Sequence, residues 1–174
     1  SEGVDIDLSL DSGVVMPNPV HLCFGVLPEK GVQKINMKIR IGKNSKVAFY
    51  AHCTFPFAVD VLHLMEAEIF VEEGADYRYF ERHVHSDSGG VRVVPKAVVH
   101  VADNARFSTE FELIKGRVGT MHINYESHIG AGGVVDMNAR ISGRAEDQVR
   151  IEETSCLNGE DSRAVLTTKV AVRD

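Results

Sequence analysis

The residues best suited to chemistry in this sequence are histidines and cysteines, which are common ligands of transition metals. His83 and His85 are two positions apart, and in a β-strand such residues point to the same face. Two imidazoles on one face of a strand can hold a metal ion. Cys53 lies thirty positions before His83, which is also the period of the internal repeat described below. We therefore predict a metal site at His83, His85 and Cys53, although free cysteines often simply fill the core.

A cupin-like metal-dependent enzyme that uses His83 and His85 is the alternative function that these histidines allow. Its further ligands would come from a second motif, for which the sequence offers Glu112, His122 and His128. The acidic residue expected shortly after the second histidine does not match, because residues 86–90 contain a single aspartate and no glutamate.

The cysteine count and the net charge bound the class of protein. The three cysteines are odd in number and none has Cys-x-x-Cys spacing, which favours a reducing compartment, so we expect a cytoplasmic protein. A net charge of −6 argues against nucleic-acid or anionic-membrane partners, which need clustered Lys and Arg. No apolar run approaches the roughly 20 residues of a membrane span.

Cys156 precedes an Asn158-Gly159 turn and is the best candidate for an accessible thiol.

Five short turns, each followed by β-branched or aromatic residues, divide the chain at nearly regular intervals. Gly, Asn and Asp are common in them because these residues tolerate tight or left-handed backbone. The turns occupy residues 43–46, 73–76, 103–106, 130–133 and 160–163. Successive turns are 30, 30, 27 and 30 residues apart. This spacing predicts stacked coils of about thirty residues, one of which is shorter by three.

Apolar positions recur with the same period as the turns. Residues 35–41 alternate between apolar and polar, which indicates a strand with one buried face. Steps of thirty from Met37 reach Ala67 and Ala97, as expected for an inward column. The residues that begin the second strand of each coil form a further apolar column: Val47, Tyr77, Phe107, Val134 and Ala164. A polar column lies on its opposite face, formed by His52, Arg82, Glu112 and Lys169 and interrupted by Ala139.

These columns predict an all-β fold, a parallel β-helix (solenoid) with about 30 residues and two strands per coil. An antiparallel sandwich or barrel would also give short alternating strands, but not whole columns at a thirty-residue period. We expect residues 1–174 to form a single domain, with residues 1–19 as an irregular N-terminal segment. An uncapped coil exposes apolar core and unpaired backbone, so the abrupt ends predict a fragment of a longer chain.

Three stretches of the sequence also carry a resemblance to a known family. They are residues 41–46, residues 89–107 and residues 127–132, the last reading Ser-His-Ile-Gly-Ala-Gly. Together they resemble the core domain of the SufB/SufD proteins of iron–sulfur cluster assembly, and the likeness covers residues 32–174. The resemblance implies a right-handed parallel β-helix with two strands per coil, which agrees with the repeat.

The resemblance further implies a function and a set of partners. SufB/SufD proteins are scaffolds rather than enzymes, and they work with a SufC-like ABC-type ATPase and with a paired subunit or a second copy. The implied cofactor is a transient iron–sulfur cluster. No Gly-x-x-x-x-Gly-Lys-Ser/Thr phosphate loop occurs in the sequence, so ATP hydrolysis would belong to the partner.

One position departs from the family pattern. SufB-type members carry a functional cysteine just before the turn that corresponds to residues 103–106, and His100 stands at or near that position here. The resemblance therefore implies a SufD-like or an archaic SufB-like member. Iron–sulfur clusters are held mainly by cysteine, with histidine as an occasional substitute, so His100 and Cys156 are the candidate cluster contacts. Three scattered cysteines cannot form a four-cysteine site within one chain.

Overall fold

The computed structural model describes residues 3–173, which consist of β-strands joined by short turns. Residues 3–173 contain no helix, and hence none long and apolar enough to cross a membrane. In chain order, strands β1 to β12 are Val4–Leu10, Val20–Gly25, Lys30–Ile41, Lys46–Phe55, Asp60–Val71, Asp76–His85, Val91–Val101, Arg106–Lys115, Gly119–Ile129, Val134–Arg144, Gln148–Leu157 and Arg163–Arg173.

The strands form two parallel sheets of six strands each. Odd-numbered strands make one sheet in the order β1-β3-β5-β7-β9-β11, and even-numbered strands make the other in the order β2-β4-β6-β8-β10-β12. Each odd strand and the even strand that follows it make one coil, so coil 1 contains β1 and β2 and coil 6 contains β11 and β12. The predicted all-β solenoid with two strands and about 30 residues per coil is confirmed.

The register between coils is thirty residues from β3 to β7 of the odd-numbered sheet and shorter from there to β11. Met37 pairs with Ala67, and Ala67 pairs with Ala97. Ala97 then pairs with Tyr125, and Tyr125 with Glu153, so each of these steps is 28 residues. The prediction of one coil shortened by three is therefore wrong, because the shortening is shared by two successive coils.

This shared shortening moves two of the predicted columns by one residue. The inner column continues through Val135, which is fully buried, and not through its neighbour Val134. The outer polar column continues from Glu112 to Arg140 and not to Ala139. Arg140 Nη1 lies 3.4 Å from Glu112 Oε1. An ion pair therefore continues the polar column, which the sequence predicted to be interrupted by Ala139.

The core lies between the two sheets and is filled by alternate residues of both. In the even sheet, Phe49 packs edge-on against Tyr77 at 5.3 Å between ring centroids, and Tyr77 lies 5.6 Å from Phe107. Ile39 and Ile41 fill the odd sheet's inner face at 0% and 1% exposure. Each large apolar side chain buried in this way stabilises the fold by roughly 1.5–3 kcal/mol. The core is thus one continuous column along the solenoid.

The corner between the odd and the even strand uses left-handed backbone in all six coils. The φ angle lies between 55° and 75° at one residue in each of these corners: Gly13, Asn44, Gly74, Asn104, Gly132 and Asp161. Glycine has no Cβ to clash in this region, and Asn and Asp tolerate it better than other residues. This requirement explains why the five turns could be recognised in the sequence.

The N-terminal segment is more regular than the sequence suggested. Residues 1–19 were expected to be irregular, but Val4–Leu10 forms strand β1 and pairs with β3. Ile6, Leu8 and Leu10 pack against the core, and their period of two is the same alternation that marks the later strands. The expectation is therefore corrected for these residues, and Val15 adds an isolated parallel bridge to Lys46.

Candidate metal-binding sites

The buried face of β6 carries polar groups where other strands carry apolar ones. Alternation along β6 buries Tyr77, Tyr79, Glu81, His83 and His85. Glu81 is 1% exposed and His83 is 0% exposed. Ionisable side chains at this depth require partners, so the packing around them decides what they can do.

Four buried side chains from three strands meet at this face and form what we term the interior cluster. They are Cys53 of β4, His63 of β5, and Glu81 and His83 of β6, and one donor atom of each lies within 4.8 Å of those of the other three. Cys53 and His83 pair in register in adjacent coils, as their thirty-residue spacing predicts. His63 belongs to the opposite sheet, so the cluster spans the interior of coils 2 and 3.

One carboxylate oxygen connects three members of the interior cluster. Glu81 Oε1 lies 2.7 Å from His83 Nε2, and the Cys53 thiol donates to the same oxygen over 3.5 Å. Among the residues that the structure describes, Glu81 Oε2 and His63 Nε2 have no hydrogen-bond partner although both are buried. The cluster therefore contains more hydrogen-bonding atoms than the surrounding protein provides partners for.

Burial shifts the ionisation of the cluster. Burial, and next the negative charge of Glu81, raises the pKa of the Cys53 thiol well above its usual range. Burial, reinforced by the charge of His83, lowers the pKa of His63 to about 4. Burial would raise the pKa of Glu81, but the hydrogen bond and charge of His83 outweigh it and hold that pKa below its usual value. At neutral pH the cluster thus contains a carboxylate, a thiol and a neutral His63.

His85 shares the buried face of β6 with His83, as the sequence predicts, but is not a member of the interior cluster. Its Nδ1 lies 3.3 Å from the carbonyl oxygen of Arg117, and only a ring N–H can donate to that oxygen. Burial, and then the charge of His83, lowers the pKa of His85 to about 3, so the ring is neutral. Its Nε2 therefore accepts from His83 Nδ1 over 3.2 Å, and His85 orients His83.

Sequence reasoning found two members of the interior cluster and missed two. Cys53 and His83 lie together as expected, whereas His63 and Glu81 were not singled out. Both missed residues occupy inward positions in the alternation of their strands. A polar residue at an inward position was the available signal, but His85 carries the same signal and lies outside the cluster.

A second group of donors lies on the outer face of the odd-numbered sheet. Phe70 pairs with His100, His100 with His128, and His128 with Cys156, and we term these four residues the outer column. The rings of Phe70 and His100 stack with centroids 4.8 Å apart, and those of His100 and His128 stack at 5.7 Å. Donor atoms of Glu126, His128 and Cys156 lie within 4.8 Å of one another.

The outer column contains both candidate cluster contacts: His100, to which the family resemblance points, and Cys156, which precedes the Asn158-Gly159 turn. They lie two strands apart, with His128 between them. The His100 side chain is 41% exposed. Cys156 is half-buried and Cys23 is exposed, so the prediction that Cys156 is the most accessible thiol is wrong. His128 Nε2 is 2.7 Å from Glu126 Oε1. Unlike the interior cluster, this face presents thiol, imidazole and carboxylate groups to solvent.

The further ligands that a cupin-like enzyme would need do not gather with the β6 histidines. Glu112 pairs with Arg82 at 2.7 Å, His122 pairs with Glu152 at 2.7 Å, and His128 belongs to the outer column. The parallel solenoid also differs from the antiparallel jelly roll of cupins. The structure therefore does not provide the cupin site that the sequence left open.

Comparison with known proteins gives a consistent set of relatives. A SufBD family protein of iron–sulfur cluster assembly from Pyrococcus horikoshii is 34% identical over 99% of this chain and 52% of its own length. One of the same description from Methanocaldococcus jannaschii is 30% identical over 90% of this chain and 49% of its own. The chain is related to the SufBD family. Another SufBD family protein of Pyrococcus horikoshii is 27% identical over 97% of this chain and 37% of its own length.

The SufBD relationship confirms the resemblance carried by the turn sequences. The chain spans about half the length of the first two SufBD relatives. No family model matches the chain, and no solved structure matches it.

Proposed function

We propose that this chain is a non-catalytic scaffold component of SUF-type iron–sulfur cluster assembly. The observation that carries the proposal is the likeness over nearly the whole chain to two proteins described as iron–sulfur cluster assembly SufBD family proteins. The solenoid supports a scaffold role, because its outer faces present fixed rows of side chains along stacked strands.

The outer column is the proposed contact with iron or with a nascent cluster. Thiolate is the usual ligand of such clusters and imidazole is the alternative, and Cys156 and His128 place both within 4.8 Å of the Glu126 carboxylate. His100 extends the column by one strand. One thiolate cannot complete the ligand set of a cluster, so we propose transient binding, with a SufB/SufD-type paired subunit or a second copy supplying the remaining ligands.

The energy source in this proposal is a SufC-like ABC-type ATPase. The chain has no phosphate-binding loop of its own, and such a loop is what cradles the phosphates in enzymes of that class. The ATPase would therefore bind and hydrolyse ATP while the solenoid holds the cluster ligands in place.

Anaerobic reconstitution with ferrous iron and sulfide tests the proposal. The intact protein, mixed with its paired subunit and the ATPase, should develop sulfur-to-iron charge-transfer absorbance. Cys156→Ser should weaken iron retention about ten-fold, because it removes the soft ligand of the outer column. Cys23→Ser is the matched control, because Cys23 is an exposed thiol outside both donor groups.

Three outcomes would count against the proposal. A complex that forms no chromophore with both partners present would contradict the cluster role. Equal losses in Cys156→Ser and Cys23→Ser would contradict the assignment to the outer column. Failure of the intact protein to co-purify with the ATPase would contradict the proposed partner.

A further inference from the structure

The interior cluster has the composition of a metal site, whether or not the chain has the proposed function. We infer that Cys53, His63, Glu81 and His83 bind one divalent ion, Zn²⁺ or Fe²⁺, inside coils 2 and 3. Both ions accept mixed thiolate, imidazole and carboxylate ligands. Structural metal sites have four protein ligands, whereas catalytic sites keep one coordination position open for water or substrate. The four buried ligands of the interior cluster fit a structural site.

The positions of the donor atoms fit this inference. Donors of a tetrahedral zinc site stand about 3.5 Å apart, because metal–ligand bonds are about 2.0–2.3 Å long. The four donor atoms of the interior cluster lie within 4.8 Å of one another. They converge on one place in the core from both sheets.

Hydrogen bonds orient both imidazoles toward the cluster. Gln33 Oε1, an acceptor, lies 2.8 Å from His63 Nδ1, so His63 donates there and keeps its lone pair on Nε2. His83 Nδ1 donates to His85, which in turn donates to the Arg117 carbonyl. Both imidazoles therefore have their Nδ1–H held by an acceptor and turn Nε2 toward the cluster, where His63 Nε2 has no partner and His83 Nε2 lies against Glu81 Oε1. Metal-bound histidines usually have this outer support.

The charge of the site also favours a divalent cation. A Cys53 thiolate and the Glu81 carboxylate together carry two negative charges, which one divalent ion neutralises in a region of low dielectric. Within residues 3–173 the only ion-pair partner of Glu81 is His83. Binding replaces the Cys53 S–H bond and any proton on His83 Nε2 with bonds to the metal, and these protons leave to solvent.

An ordinary buried hydrogen-bond network is the competing explanation. In such networks nearly every buried polar atom has a partner. Here Glu81 Oε2 and His63 Nε2 are buried without one among the described residues, and each belongs to a residue of the cluster. A metal ion accounts for both atoms at once, because each is a lone-pair donor.

Metal analysis of a Cys156→Ser variant tests the inference without interference from the outer column. The protein is purified without an affinity tag that binds metal and is dialysed against a chelator. We expect about one Zn²⁺ or Fe²⁺ per chain to remain, because the site is enclosed. The X-ray absorption spectrum of the retained metal should show one sulfur ligand and the rest nitrogen or oxygen.

Cobalt substitution identifies the ligand residue. Protein unfolded with chelator and refolded anaerobically with Co²⁺ should show a thiolate-to-cobalt charge-transfer band in the near ultraviolet. Cys53→Ser should abolish this band, and Cys156→Ser should retain it. Circular dichroism verifies that each variant is folded.

Clear results would overturn the inference. Less than about a tenth of a metal ion per chain, together with no cobalt band after refolding, would mean that the cluster is a hydrogen-bond network. A band that is lost with Cys156→Ser and kept in Cys53→Ser would place the metal at the outer column instead. If Cys53→Ser does not fold, zero or more than one sulfur ligand in the Cys156→Ser absorption spectrum is equally decisive.

Discussion

At the scale of residues, three imidazoles inside coils 2 and 3 each have one ring nitrogen with a fixed hydrogen-bonding role. The Arg117 carbonyl fixes the tautomer of His85, His85 fixes the donor nitrogen of His83, and Gln33 fixes that of His63. A ring nitrogen with a defined role is what metal binding or proton transfer requires. Burial makes two of these rings, His63 and His85, resist protonation.

Acid sensitivity is the prediction that follows from these rings. Burial lowers the pKa of His63 to about 4 and that of His85 to about 3, whereas both are near 6.5 in an unfolded chain. Between these values the unfolded chain binds more protons than the folded one, so their stabilising contribution is complete above about pH 6.5 and is lost as pH falls. Urea unfolding midpoints of chelator-treated protein should therefore decrease from about pH 7 to pH 5.

A matched variant identifies the source of this slope. His85→Asn removes one of the two titrating rings, so it should lower stability at neutral pH but flatten the decrease between about pH 7 and pH 5. Carboxylates with ordinary pKa values stay largely ionised over this range and contribute little. A flat profile in the parent protein would contradict the prediction.

How far the site could be predicted differs between its members. The pair Cys53 and His83 was predictable because adjacent coils are thirty residues apart at that point. His63 was not, since parity shows that a side chain points inward but not which inward side chains meet across the two sheets. Glu81 lies two positions before His83 on the buried face of β6, so the rule that paired His83 with His85 could have included it. His100 was suggested by family resemblance and Cys156 by its position before a turn, and their place in one column required the 28-residue register of the later coils.

At the scale of elements, the corners fix where each coil turns. The Asp103 carboxylate accepts the amide N–H of Ala131 at 2.8 Å, so a corner side chain of one coil also holds the next. The left-handed backbone conformation at each corner costs roughly 1–2 kcal/mol for a residue that has a β-carbon. Asn104, with φ of 55°, is a corner where this cost can be measured.

Substitution of Asn104 should separate backbone strain from side-chain contacts. Asn104→Ala should destabilise the protein by about 1 kcal/mol, because alanine tolerates the left-handed region less well than asparagine. Asn104→Gly should stay within about 0.5 kcal/mol of the parent, because glycine adopts this backbone readily. Urea unfolding measures both. Equal losses in the two variants would show that the carboxamide, rather than φ, matters at this corner.

The turns could be predicted from the sequence, whereas the register of the later strands could not. Five corners and coils 2 to 4 were predictable, since left-handed turns demand Gly, Asn or Asp and the period is constant over these coils. The one-residue errors at Val134 and Ala139 arose because two coils each lose residues. A bulge in β8, where Val84 pairs with Lys115 directly after His83 pairs with Leu113, adds to this irregularity and has no local sequence signal.

At the scale of the whole molecule, stability is distributed unevenly along the solenoid. Each coil contacts mainly its neighbours, so local stability depends on how well those neighbours bury it. Side chains of β6 alternate between buried and outward positions, whereas those of β12 are mostly exposed. Val172, for example, is 74% exposed.

Hydrogen exchange should reveal this gradient in the 174-residue chain. Backbone amides of β11 and β12 should exchange at least roughly ten-fold faster than those of β5 to β8, because opening the sixth coil exposes less core than opening the third. Mass spectrometry of peptides from the two regions measures the difference. Uniform exchange would indicate that the six coils open as one cooperative unit.

The tyrosines of the solenoid give it an internal optical reporter. The sequence has four tyrosines and no tryptophan, and Tyr77, Tyr79 and Tyr125 are buried while Tyr50 is 40% exposed. Most intrinsic emission and most near-ultraviolet dichroism of this protein therefore arise from the core, with two of the emitters on the strand that carries Glu81 and His83. Loading of a paramagnetic ion or loosening of coil 3 should change these signals without any attached dye.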